Sequence, residues 1–304
     1  MSSFYTKQSS NIRTTWIMMT SFFLLVILVG FVLSYMYSNP AILYYAVLFS
    51  IIMNVGAYWF SDKLVLSMAG ATKIESKDQY PELWNSIENL CITAGLPMPS
   101  LYIIDDPAPN AFATGRNKDH SVIAVTTGLL PLLTKSELEG VLAHELSHIG
   151  NRDMLVSTVV VVFAGIISLI ADMALRASFF GGGDEKKNPI FFILGLVAIV
   201  LAPIAATIIR LAISRQREFL ADATAVLVTR YPEGLAAALE KISNFHQPMK
   251  IQRAAIAHLF ISDPTGINDE SEVREHEKVS FVAKLFMTHP PVAERISRLT
   301  GSVE

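Results

Sequence analysis

The residues of this chain best suited to chemistry are two histidines and a glutamate in the run His144-Glu145-Leu146-Ser147-His148. Residues four apart on a helix lie one above the other, so a helix here presents two imidazoles on one face. Two such nitrogens can hold one zinc ion, and Glu145 can reach a water on the metal without taking a coordination position. Zinc lowers the pKa of that water to about 7, and a carboxylate beside it collects the proton as the oxygen attacks a carbonyl. The chemistry expected is acyl transfer to water. A catalytic zinc takes three protein ligands, so the third must come from elsewhere in the chain.

The helix that carries the motif is well signalled. Thr134-Lys135-Ser136-Glu137 has capping-box spacing and opens it, and Leu138, Val141, Leu142, Leu146 and Ile149 supply a buried side. Before it, Pro81 to Ala94 reads as a helix stopped by Gly95 and Pro97. Leu101 to Ile104 and Ser121 to Thr126 read as strands, joined by a loop from Asp105 to His120 rich in Pro, Asn and Gly. After residue 210 the pattern is helical only: Arg217 to Thr229, Pro232 to Phe245, and a last helix opening at Pro290-Pro291 and running to Leu299.

Composition places these elements beside a membrane. Hydrophobic residues make up 52% and charged residues 17%, against about 45–50% and about 25% in soluble domains. No charge falls between Arg13 and Asp62, between Asp153 and Asp172, or between Lys187 and Arg210. A bilayer crossing takes about 20 residues. The gaps therefore predict four spans, near 15–37, 41–60, 154–175 and 189–209, with Ser38-Asn39-Pro40 as the first turn and 180–187 as a polar loop. The chain divides into 1–61, a tail and membrane hairpin; 62–153, the first part of a catalytic domain; 154–209, a second hairpin; and 210–304, the helical remainder. Lys7, Arg13, Lys63, Lys73, Lys77, Arg152, Arg210, Arg215 and Arg217 all fall on one side of these spans. The positive-inside rule then puts both termini and the motif in the cytoplasm. A net charge of -3 and the lack of a basic stripe exclude a nucleic-acid partner. The lone Cys91 excludes an intrachain disulfide or a cysteine-rich metal site.

Topology narrows the search for the third ligand. It must lie on the side of the membrane that holds the two histidines, where the second hairpin returns the chain to Arg217-Glu218-Phe219-Leu220-Ala221-Asp222. Glu218 is the expected ligand. Asp222, one helical turn on, can accept the outer N–H of a ligand histidine and fix its tautomer. His120, His246, His258 and His276 lack a helical partner of this kind and read as surface or core histidines.

The run from His144 to Asp153, the Glu218-x-x-x-Asp222 pair, Asn110-Ala111-Phe112-Ala113-Thr114-Gly115, His289-Pro290-Pro291 and the order of spans together resemble the HtpX-type membrane zinc metalloproteases, relatives of the prenyl-protein (CAAX) peptidases. The resemblance covers nearly the whole chain. It implies an α+β fold, a zincin-type (gluzincin) catalytic domain with a small β-sheet attached to four transmembrane α-helices, in the bacterial inner membrane. It implies one Zn2+ per chain on His144, His148 and Glu218, Glu145 as general base and acid, and Asp222 behind the ligands. It also implies His289 near the scissile carbonyl, where it could stabilise an oxyanion. Asn110 and Ala111 would form the edge of a cleft that binds substrate as an added strand. The expected substrates are membrane proteins, cleaved in quality control.

Some readings stay open on sequence alone. Arg295 fits equally a surface arginine or one that holds the last helix against the acids of the site. Asp172 and Arg176, four apart in the third span, read as an interfacial ion pair. A peptidase for lipidated C-termini would need a closed chamber that four spans do not build. An inactive zinc scaffold would not need Glu145. If the motif helix runs on into the third span, His148 stands only about 9 Å from its start, at 1.5 Å per residue.

Overall fold

The computed structural model describes residues 2–163, 215–265 and 290–301. Most of the third expected span, the fourth, the polar loop, Asp172, Arg176 and His289 lie outside the described residues.

Helices α1 (Ser2–Met36) and α2 (Ala41–Ala69) form an antiparallel hairpin. Its apolar stretches, Ser9–Tyr35 and Ala41–Ala69, are 27 and 29 residues long, enough to cross a bilayer. Ser38 takes a positive φ of 49° to reverse the chain. Gly30 lets the helices approach, because a Cβ there would lie 2.3 Å from that of Ala46. Helix α2 continues to Ala69, is closed by Gly70 at φ 63°, and passes straight into β1 (Ala71–Lys73).

After β1 come α3 (Pro81–Ala94), β2 (Ser100–Ile104), β3 (Ala111–Asn117), β4 (His120–Thr126), the short α4 (Leu129–Leu132) and α5 (Lys135–Asn151). The sheet order is β1-β2-β4-β3, with β2 and β4 parallel and the other pairs antiparallel. Sequence patterning missed two of these strands. β3 lies inside what reads as the Asp105–His120 loop, because its Ala-Phe-Ala-Thr-Gly run is short and flanked by turn residues. β1 has only three residues and no pattern of its own.

Both faces of the sheet are covered, so its strands carry apolar residues on both sides. One face places Leu101, Ala111, Ala113, Ile123 and Val125 against Leu83 and Ile87 of α3 and Val141, Leu142 and Leu146 of α5. The other places Ile104, Phe112, Val122 and Ala124 against Val65, Leu66 and Ala69 at the end of α2. The second apolar helix thus doubles as a wall of the sheet.

Helix α5 begins with the expected capping box between Thr134 and Glu137. It does not run on into the next apolar segment. Asn151 ends it, Arg152 takes a left-handed φ of 58°, and α6 (Met154–Phe163) starts afresh after Asp153. Phe163 stacks on Phe22 of α1 at 4.1 Å between ring centroids, and Asn11 of α1 donates to the carbonyl of Asn151 at 3.0 Å. The remaining helices are α7 (Arg215–Thr229), α8 (Pro232–Ser243), α9 (Ala254–Ala257) and α10 (Val292–Thr300).

Gly140 sets the approach of α5 to α8, since a Cβ there would stand 2.8 Å from the backbone nitrogen of Leu235 and 2.9 Å from its Cα. Backbone cannot swing aside as a side chain can. Gly140→Ala should therefore destabilise by about 1–3 kcal/mol, as overpacking does, and thermal unfolding in detergent should show a lower midpoint.

Candidate metal centre

Helices α5 and α7 cross so that three donor groups converge. His144 and His148 set their rings at 90° with Nε2 atoms 3.1 Å apart. Glu218 of α7 brings Oε2 to 3.7 Å from His144 Nε2 and Oε1 to 3.8 Å from His148 Nε2. Among the described residues this is the only set of three such groups close enough to share an ion, with one donor atom from each within 4.8 Å of the others.

The outer nitrogens decide what the inner ones can do. His144 Nδ1 lies 2.9 Å from Oδ1 of Asp222, and His148 Nδ1 lies 3.1 and 3.2 Å from the oxygens of Asp153. Carboxylates accept, so each neutral ring carries its proton on Nδ1 and a lone pair on Nε2. Two lone pairs and a carboxylate then face one small space. Acceptors cannot bond one another, so the arrangement calls for a cation between them, and this donor set fits a metal ion.

Charge at the centre points the same way. Burial works against a charged His148, but Asp153, Glu218 and Glu145 overcome it and push its pKa up to about 10. Without a metal, the carboxylates draw in a proton instead. His144 is shifted the other way, lowered by burial and by Arg295 and His148 against the pull of Asp222. Glu145, 2% exposed, is raised to about 7, chiefly by burial and further by Glu218.

Arg295 of α10 is only 1% exposed and grips Asp222 with two bonds, Nε to Oδ2 at 2.9 Å and Nη2 to Oδ1 at 2.7 Å. Of its two readings from sequence, the structure selects the buried one. Burial would raise the Asp222 carboxyl, yet Arg295 and His144 hold it down to about 2. It stays ionised and keeps the His144 tautomer fixed.

Of the residues singled out in the sequence, His144, Glu145, His148, Glu218 and Asp222 are brought together. Asn110 and Ala111 are not on the cavity beside the metal cluster. The Asn110 side chain is spent on Ser262, donating to its carbonyl at 2.9 Å and accepting from its N–H at 3.2 Å. The Ala111 carbonyl already accepts from the Ile261 N–H at 3.0 Å. Ala113, Ser157, His258, Leu259 and Ile261 line the cavity instead. Asp153 was missed because its role depends on the break after α5; its only signal was a carboxylate just past the motif. His258 gave no signal beyond being a histidine.

A cation-demanding His-His-Glu cluster with a buried carboxylate beside it, on a small mixed sheet flanked by helices, defines a metallohydrolase centre. Residues 77–303 match Peptidase family M48, and the chain belongs to that family, which makes it a metalloprotease. Within the family it groups with the HtpX proteases. It is 50% identical over 243 residues to the "Protease HtpX homolog" of Tropheryma whipplei (strain Twist), with 80% of this chain and 79% of that one covered. To the protein so named in Caldanaerobacter subterraneus subsp. tengcongensis it is 43% identical over 304 residues, covering 97% of this chain and 96% of that one. The crystal structure of S. mikatae Ste24p shares the fold, with a TM-score of 0.51 and 20% identity over 90% of this chain. The match spans 62% of the Ste24p chain.

Asp153→Asn and Asp222→Asn should each weaken metal binding by about 10–100-fold, as loss of the group that orients a ligand histidine does; titration against a competing chelator measures it. Arg295→Met should cost about 3–5 kcal/mol by stranding the buried Asp222 charge. Because the Asp222 carboxyl lies below its ordinary value of about 3.9, the stability it contributes is full above that pH and is lost as pH falls toward about 2. Thermal unfolding of the two proteins should therefore differ most near neutrality and converge in acid.

Proposed function

We propose that this chain is a zinc-dependent endopeptidase of the inner membrane that cleaves peptide bonds of membrane proteins, misfolded or damaged ones above all, in quality control. His144, His148 and Glu218 would hold the single zinc in a gluzincin-type centre. The observation that carries the reading is the convergence of the two Nε2 atoms and the Glu218 carboxylate on one small space, with the buried Glu145 next to them. Two histidines and a glutamate are a catalytic zinc donor set that leaves a position open.

Zinc bound there supplies Lewis acidity, which activates a water near neutral pH and polarises a peptide carbonyl. Glu145 does the proton work. Its carboxylate takes a proton from the attacking water and returns it to the amine that leaves. Burial supports both halves of that role, because desolvation raises the Glu145 carboxyl and lowers the cost of its proton-bearing form. Asp153 and Asp222 keep the ligand rings from turning. His289, outside the described residues, is assigned by the family resemblance to the developing oxyanion, and Asn110 and Ala111 to the rim of the substrate cleft.

Membrane substrates are favoured by how the site is hung. The end of α5 is bonded to α1 through Asn11 and Asn151, and α6 leaves it to pack against both helices of the apolar hairpin. Four spans in all, both termini in the cytoplasm and the catalytic domain there too, follow from the charge pattern. A protease held this close to lipid meets the loops and unfolded tails of its membrane neighbours first.

Glu145→Gln should reduce cleavage of a membrane-protein reporter in bilayers by about 10²–10⁴-fold while zinc content stays at one per chain. Proteolysis that survives the change would refute the mechanism. Equal turnover of soluble unfolded chains and membrane reporters in the same bilayers would refute the substrate preference.

A further inference from the structure

Strand β3 runs beside α2 toward the apolar hairpin. Phe112, near its start, shares a buried cluster with Val65, Leu66 and Ala69 at the end of that helix. Arg116, near its finish, sets its guanidinium over the Trp59 ring at 4.3 Å. From Phe112 to Arg116 the strand covers about 13 Å; from Val65 back to Trp59 the helix covers about 9 Å, and from Ala69 about 15 Å. The lengths match, so the β3–β4 hairpin hangs at the level of Trp59. Aromatic rings gather at that level. Trp16 of α1 stacks beside Tyr58 with centroids 6.4 Å apart, and Tyr58 meets Trp59 edge-on at 5.5 Å. Trp16, Trp59 and Phe60 are 58%, 50% and 58% exposed. Such rings are costly in water and suit the headgroup layer of a bilayer, where Trp and Tyr collect. The charge-free stretch of the chain, from Arg13 to Asp62, ends at the same level.

The cations beside these rings meet no acid. Among the described residues the Arg116 guanidinium makes the ring contact and no hydrogen bond or ion pair. Lys63 Nζ lies over Phe60 at 5.6 Å, and Lys118 at the hairpin tip is exposed. Asp62 and Asp119, the acids next to them in sequence, pair with none of the three among the described residues. Elsewhere on the same domain lysines reach carboxylates, Lys77 that of Glu88 at 3.0 Å, Lys241 that of Glu137 at 2.7 Å and Lys250 that of Asp105 at 3.2 Å. An arginine held over a ring by its charge keeps its N–H donors for an anion.

We propose that the β3–β4 hairpin is a lipid-binding element, in which Arg116, with Lys63 and Lys118, takes the phosphate of an anionic phospholipid while Trp59 lies against the top of its acyl chains. Cations beside exposed rings match a charged headgroup joined to apolar chains, which free phosphate matches only in part. The contact also places the metal centre. Ala113 lines the cavity there and donates its N–H to Glu145, and it precedes Arg116 by about 10 Å of strand. The strand that borders the site is thus fixed to headgroups at its far end. This rests on the bilayer placement of α1 and α2 and is independent of which bond the site cleaves.

Quenching of Trp59 gives the test. Full-length protein is placed in bilayers of phosphatidylcholine and phosphatidylglycerol, with bromine high on the chains of one lipid or the other, and the signal lost in Trp59→Phe isolates this indole. Each Lys or Arg at an anionic surface adds about fivefold to binding, so phosphatidylglycerol should be preferred by about tenfold or more. Arg116→Gln should cut the preference about fivefold, Arg116→Lys should keep most of it, and Arg116→Gln/Lys63→Gln/Lys118→Gln should abolish it. Salt should weaken it by screening, and inorganic phosphate should do no more than another salt of equal ionic strength. Equal quenching by the two lipids, a preference that survives the triple change, or specific displacement by inorganic phosphate would overturn the proposal. No quenching by either lipid would put Trp59 outside the bilayer and overturn the placement of α2 along with it. None of these results bears on cleavage, so the peptidase reading stands or falls separately.

Discussion

Everything at this site depends on two hydrogen bonds made on the side of the histidines away from the metal position. Asp222 and Asp153 each accept an Nδ1 proton and thereby turn the two Nε2 lone pairs toward one another and toward Glu218. In any other tautomer the rings could bond each other directly, and the cluster would be a closed polar contact. The carboxylates are costly to bury, and each is compensated locally. Asp222 is held by Arg295 in a two-bond grip, the geometry that suits a guanidinium to a carboxylate. Asp153 interacts with the Arg217 guanidinium, whose charge favours the ionised carboxylate.

The four elements that supply these groups come from distant parts of the chain. Helix α5 gives both histidines and Glu145, the break after it gives Asp153, α7 gives Glu218 and Asp222, and α10 gives Arg295. The break is the least expected piece. A continuous helix from α5 into α6 would carry Asp153 round to another face, away from His148 Nδ1. Stopping at Asn151 and restarting at Met154 folds Asp153 back under the ring and also redirects α6 onto the membrane hairpin. One irregularity thus orients a ligand and sets how the catalytic domain meets the apolar helices.

The parts of this design that were legible in the sequence are those written in local periodicity. The capping box and the i,i+4 histidines define α5, a second i,i+4 pair of acids marks α7, and gaps in charge mark the two N-terminal helices. Parts that depend on long-range contact were hidden. Arg295 could not be separated from a surface arginine, because its partner Asp222 lies 73 residues earlier. Asp153 needed Arg152 in a conformation that few non-glycine residues adopt. β3 was obscured by the Pro, Asn and Gly around it, and the occupation of its edge by Ile261 is visible only once the segment from Met249 to Ser262 is folded over it.

The central claim is that two imidazoles and one carboxylate, oriented from behind, hold a single zinc. X-ray absorption at the zinc edge of the purified, detergent-solubilised protein tests it most directly. The account predicts a nearest shell of nitrogen and oxygen alone at about 2.0–2.1 Å, with the outer scattering of two imidazole rings. A sulfur shell at about 2.3 Å, or the signature of a single imidazole, would contradict it.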